Sequence, residues 1–178
     1  IHEIDRSYSN YRISEALMST YKLIWDDFCS WYLEIIKPNY GSPIDRNTYK
    51  STIIYIEKLL KLLHPFMPFL SEEIWHLIDE RKEDIIIAEW PKSKKIEESI
   101  LKRFHVTSEV VSSVRNFRKQ QQISPKEKIT LLIKENGLLL KDQDSIICKL
   151  ANLEVINYVD RKPSNTFSFM IESNEYFI

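Results

Sequence analysis

Four histidines and two cysteines are the side chains with the widest chemical reach in this sequence, and their spacing restricts what they can do. His2, His64, His76 and His105 form no pair at the three- or four-residue spacing of a helical metal clamp. No Glu-x-x-His repeat marks a di-iron bundle. Cys29 and Cys148 likewise lack metal-ligand spacing. Cys29 lies in a tryptophan-rich apolar stripe, where a thiol packs as a small hydrophobe rather than acting as a nucleophile. Both are expected to be reduced thiols of a cytosolic protein. No G-x-S-x-G elbow and no phosphate-binding loop occurs. The expectation is therefore a binding module, with no catalytic residue and no metal.

Binding chemistry is better represented. Single-stranded RNA loops are gripped by stacking splayed bases on aromatic or arginine faces and by holding phosphates with cations. Tyr8, Tyr11 and Arg12 are candidate platforms near the amino end. Arg115, Asn116 and Arg118 recur on one side of a long helical stretch, and Lys119 and Lys126 follow. From Arg115 to Lys134 six basic residues face one acid, Glu127, whereas Ile1 to Ile36 carries six acids and three basic residues. The basic block reads either as a phosphate-contacting strip or as a solvated helix end. The chain's net charge is −1, so nucleic acid would have to be met by such a local patch.

The 178 residues suggest one domain, or one with a small appendage, and are enough for a real core. Only 2 glycines argue against a turn-rich all-β fold. No apolar run approaches a membrane span, and no signal peptide is seen. A start at Ile1 rather than methionine, and an apolar end at Tyr176-Phe177-Ile178, suggest a segment of a longer polypeptide.

The elements that must position these residues are mostly helical. Leu17, Tyr21, Ile24, Phe28, Trp31 and Ile35 alternate steps of four and three, so one α-helix is expected from Leu17 to Lys37. Trp25, Cys29, Tyr32 and Ile36 form a second row, and Trp25, Trp31 and Tyr32 are expected in the core. Glu34 falls inside the stripe and would need a cation or several donors. A preceding helix carries Tyr8 and Tyr11, capped by Ser7 or Ser9, and runs on or breaks near Ser14. After a loop from Pro38 to Pro43, Asp45 or Asn47 caps a helix through Leu63. Ser71, with Glu72 and Glu73, is expected to start the next, with Ile74, Trp75 and Ile78 inward. Ile85 to Ala88 reads as an extended crossing segment ahead of Trp90, a core candidate. A last long helix is expected from about Ser93 to Gln122. The period then changes to two. Ile129 to Lys134, Val155 to Val159 and Phe167 to Ile171 read as strands, with a turn at Asn136-Gly137 and a weak helix from Leu138 to Leu150. The expected architecture is mainly α: an antiparallel helical bundle over residues 1–125, then a small α+β subdomain over residues 126–178.

Four stretches also carry a family resemblance. IWDDFCSWYLE with IKP, residues 24–38, is similar to the first long helix of the anticodon-binding domain of valyl-tRNA synthetases, which are class I aminoacyl-tRNA synthetases. Trp25, Asp26, Asp27, Phe28, Cys29, Trp31, Tyr32, Leu33 and Glu34 fill the pattern, while Ser30 stands where an acid is often found. LLHPFMPFLSEEIWHLI from Leu62, AEWP ending at Pro91, and VRNFRKQQQISP from Val114 follow in family order. The WYLE-IKP form resembles the valyl rather than the isoleucyl or leucyl enzymes.

The resemblance implies a bundle that holds the anticodon loop and stem of tRNA(Val) for a catalytic domain elsewhere in the parent enzyme. It implies ATP with magnesium for that enzyme and no cofactor in this segment. The catalytic and editing domains would precede Ile1, and a coiled-coil arm would follow Ile178. The implied protein is cytoplasmic, monomeric and not membrane-bound. Two other readings stay open on the residues alone: a helical protein-interaction domain, and a bundle enzyme with a metal or cofactor.

Overall fold

The computed structural model describes residues 1–93, 95–134, 141–164 and 166–178, and its contacts divide the chain into two compact units, Ile1–Lys95 and Ile96–Ile178. The last long helix falls within the second unit, where it packs against the helix Asp144–Ala151 and the strand Ser168–Ile171.

The first unit is helical. Helix α1 (His2–Ser9) and helix α2 (Ile13–Lys22) are separated by a tight reversal at Asn10–Arg12, earlier than the expected break near Ser14. Helix α2 continues without interruption through a π-helical segment, Leu23–Tyr32, into the short α3 (Leu33–Ile36). A single helical path from Leu17 to the Pro38 stop is thus present, but its middle is wound more widely. The Ser30 hydroxyl donates to the Trp25 carbonyl, five residues back, at 2.8 Å. Hydrogen bonding from i to i+5 turns every later side chain away from its α-helical bearing. Trp25 is 59% exposed and stacks on Tyr21 instead of entering the core. Glu34 is exposed and is held by Lys37 at 3.3 Å, so it is not the buried carboxylate the periodicity suggested. Trp31 and Tyr32 are half-buried, and the Tyr32 hydroxyl meets Thr52 Oγ1 at 3.0 Å.

Helix α4 (Arg46–Leu63) begins as expected at Asp45, whose carboxylate accepts the Asn47 and Thr48 amides at 3.0 and 2.9 Å. Helix α5 (Pro68–Ile78) starts three residues before Ser71, with proline in its first turn, where a fixed φ and a missing N–H cost nothing. Ser71 is instead fully buried; its hydroxyl donates back to Met67 O and meets His64 Nδ1, both at 2.8 Å. The Ile85–Ile87 segment is a single 3₁₀ turn, not an extended strand, with Ile85 buried and Ile86 and Ile87 exposed. Two apolar clusters hold this unit: Ile4, Ala16 and Leu62, and Leu60, Trp75 and Ile85. Trp75 is fixed on both sides, by an Nε1–H bond to Glu83 O at 3.2 Å and by the Arg81 guanidinium 3.7 Å from its ring centre.

The second unit is built on helix α6 (Glu98–Gln120). It starts later than Ser93 because residues 95–97 offer only Ile96, which is exposed, and unpacked residues gain little from becoming helical. Val106, Val110, Val111 and Val114 form its buried face. Strand β1 (Ile129–Lys134), helix α7 (Asp144–Ala151), strands β2 (Leu153–Tyr158), β3 (Ser168–Ile171) and β4 (Asn174–Phe177) follow. The sheet order is β2-β1-β4-β3, with β1 parallel to β2 and β4 antiparallel to both β1 and β3. Strand β4 lies in the apolar end of the chain and was not expected. It inserts beside β1, pairing Tyr176 with Ile133 and burying Phe177 completely. The Asn136-Gly137 turn and the start of the Leu138 helix lie outside the described residues.

Candidate nucleic-acid interface

The proposed RNA-facing residues fall into two groups, one on each unit. On the first unit the chain reverses between α1 and α2. Here the amides of Asn10, Tyr11 and Arg12 take the carbonyls of Arg6, Tyr8 and Ser7 at 3.1, 3.0 and 2.8 Å, which closes the end of α1. Closure requires Tyr11 to adopt φ 57°, a left-handed conformation uncommon for a bulky residue. The result is a tyrosine ring 91% exposed at the tip of the turn. Backbone strain at a non-glycine position is a frequent mark of a functional site. Beside it lies an open groove of about 600 Å³, whose polar walls include Arg6, Asn10 and Arg12 together with the acids Glu3 and Glu15. Arg12 is exposed and paired with Glu15 at 3.2 Å, an ion pair that solvent leaves weak and easily exchanged.

Tyr8 does not join this group. Its ring stacks on Phe66 with centroids 6.1 Å apart and meets the edge of Trp90 at 5.9 Å. Its hydroxyl is buried without a hydrogen-bond partner among the described residues, and burial pushes its pKa up. Tyr8 is therefore a packing residue, because both its faces and its tip are taken up by the interior. Trp90 is 38% exposed rather than core, and its Nε1–H donates to Asp5 Oδ1 at 2.7 Å.

On the second unit the basic block separates into inward and outward members. Arg118 is only 7% exposed; it donates to Ser124 O at 2.7 Å, to Glu127 O, and at 3.5 Å to Asn152 O. Its donors bind together the end of α6, the following turn and the end of α7, so they face the protein. Arg115 lies exposed and sends Nε and Nη2 to Leu150 O at 3.1 and 2.9 Å, a cation on the carbonyl end of α7. Lys134 meets Glu175 at 3.5 Å. Asn116, Lys119, Lys126 and Lys128 are exposed. Arg115, Lys119, Ile123, Pro125 and Asn152, with the largely buried Arg118, bound a groove of about 400 Å³.

Sequence reading passed over Arg6 and Asn10, which are four residues apart and line the groove beside the Tyr11 turn. It also passed over Asn152, whose φ of 51° and bond to Pro125 O at 2.6 Å shape the second groove. No local signal links Asn152 to Arg118, since they meet only through the fold. Asp26, expected as a motif residue, is exposed, and with burial it raises the pKa of Asp27, burial being the larger cause. Asp27 lies at the rim of an apolar groove of about 400 Å³ between the π-helical segment and α4. Among the described residues no helix is long and apolar enough to cross a membrane.

The family model described as the anticodon-binding domain of tRNA ligase matches residues 1–133. A valine–tRNA ligase of Christiangramia forsetii is 50% identical over 100% of this chain and 20% of its own length. One from Porphyromonas gingivalis is 44% identical over 99% of this chain, and one from Thermotoga maritima 32% over 97%, each again across 20% of the relative. The chain spans about one fifth of the length of these relatives.

Proposed function

Since this chain belongs to the family of tRNA-ligase anticodon-binding domains, we propose that it is the anticodon-recognition part of a valine–tRNA ligase, with α1 to α5 as an antiparallel bundle of the class I type. The single observation that carries the reading is the family match across residues 1–133. Valine rather than another amino acid rests on the relatives, which resemble this chain along its whole length. The partner is the anticodon loop and stem of tRNA(Val). Binding there holds the acceptor arm in register for a catalytic domain elsewhere in the longer polypeptide. The ATP and magnesium of aminoacylation belong to that domain. The protein acts in the cytoplasm as a monomer.

Within the chain the chemistry divides by position. Tyr11 offers an exposed ring on which an unpaired base can stack, and Arg12 can exchange Glu15 for a phosphate. Asn116, Lys119 and Lys126, with Arg115 at the groove edge, supply cations and polar groups for the backbone. Valine codons differ in the third base, so discrimination falls on the second and third anticodon positions. Gel-shift titrations with anticodon stem-loops test this. The valine loop should bind tighter than loops altered at either of those positions. Equal affinity for a scrambled loop would defeat the proposal, and a stable protein complex with no RNA shift would favour a protein-interaction domain.

A further inference from the structure

Away from both grooves, three metal-ligating side chains converge at the end of α5. Glu72 and His76 are four residues apart on one face of the helix, and Glu72 Oε1 lies 3.0 Å from His76 Nε2. The chain then loops back, and the 3₁₀ turn at Ile85–Ile87 delivers Asp84, whose Oδ1 lies 3.3 Å from the same nitrogen. One donor atom from each residue falls within 4.8 Å of the other two. We propose that Glu72, His76 and Asp84 form a binding site for a divalent transition cation of the zinc class, which clasps the end of α5 to the Ile85–Ile87 turn.

Three features favour a cation over a mere ion pair. The first is the ligand set: one imidazole and two carboxylates suit zinc, cobalt or nickel, with water filling the remaining positions. The second is distance. Nitrogen and oxygen ligands about 2.0–2.2 Å from a metal lie about 2.8–3.6 Å from one another in octahedral or tetrahedral shells, so the separations of 3.0 and 3.3 Å, which also suit hydrogen bonds, let the donors share an ion without rearrangement. The third is orientation and charge. Glu72 Oε1 accepts the Ile85 amide at 3.0 Å, an outer contact that aims the carboxylate before any metal arrives. Among the described residues no lysine or arginine pairs with Glu72 or Asp84. The nearby Arg81 is committed to Glu57 and to the face of Trp75. Two carboxylates focused on one imidazole thus leave negative charge that a dication would neutralise.

In the sequence the site is not legible, because a single Glu–His pair at four-residue spacing is common and the third ligand comes from beyond the helix. Glu72 and His76 give only two ligands, and Asp84 joins them through the turn. The His105–Glu109 pair has the same helical spacing at 3.7 Å but no third donor among the described residues, so it serves as an internal control.

The test titrates the chelator-treated 178-residue chain with zinc chloride by calorimetry and with cobalt chloride by visible absorption. One equivalent should saturate the parent, raise its thermal midpoint and give cobalt ligand-field bands. His76→Ala and Asp84→Asn should each lose the saturable phase and the thermal shift, while His105→Ala keeps both. Circular dichroism of the metal-free His76→Gln variant checks that loss of binding is not loss of fold. No saturable uptake by the parent, or uptake that His76→Ala and Asp84→Asn leave intact, overturns the site and leaves an ion pair.

Discussion

Arg118→Met separates a structural arginine from an RNA-binding one. Methionine preserves most of the buried stem and removes the guanidinium, so the change isolates its hydrogen bonds. Two of these count: those to Ser124 O, at 2.7 Å, and to Glu127 O. The third, at 3.5 Å to Asn152 O, is at the limit of useful geometry. A hydrogen bond from a charged donor contributes about 1.5–3 kcal/mol. The lower value applies here, because Ser124 O also accepts from the Glu127 amide and Glu127 O from the Asn152 side chain. Neither carbonyl is stranded. The expected loss is therefore about 3 kcal/mol. At a urea m-value of about 1.5–2 kcal/mol/M, the unfolding midpoint falls by about 1.5–2 M. The salt dependence of RNA binding should stay at the parent slope, whereas Lys119→Ala or Lys126→Ala should flatten it by roughly 0.7–0.9 per lost phosphate contact. An unchanged urea midpoint together with a flattened slope in Arg118→Met would refute the inward assignment.

The same contacts support three further expectations. Tyr8→Phe removes a buried hydroxyl with no partner among the described residues and should stabilise the chain by about 1 kcal/mol, read by urea unfolding; a loss of stability would mean the hydroxyl is satisfied in solution. Tyr11→Gly relieves a left-handed tyrosine and should raise stability by about 1 kcal/mol while weakening stem-loop binding by about 1–3 kcal/mol, opposite signs that a packing role could not produce. Hydrogen bonds from the Thr48 side chain and then its amide hold the Asp45 carboxyl below its ordinary 3.8. A depressed folded value means the cap contributes fully above that pH and fades as pH falls through the lower, folded value. The stability gap between the parent and Asp45→Ala should thus be flat near neutrality and narrow only in acid; a gap that narrows on raising the pH would show the sign to be wrong.

What the sequence determined by itself were the features held by one strong local interaction. Asp45 capped α4 because its carboxylate reaches amides two and three positions on, and Pro38 and Pro65 stopped helices through their own rings. Alternation at Ile129 to Lys134 marked β1, since a strand's faces repeat every second residue. The motif order was likewise enough to place the chain beside the valyl enzymes. Tertiary structure decided which way long side chains face. Arg115 and Arg118 look alike in sequence, yet Arg118 turned inward because Ser124, Glu127 and Asn152 present carbonyls there. Trp25 lies outward with Tyr21 and Leu17, because among the described residues no neighbouring element covers that face of the helix, which no periodicity count includes. The division before Ile96, and the place of β4 between β1 and β3, were settled by where apolar surface could be buried. A local pattern offers each residue a face; only the packed chain supplies what that face meets.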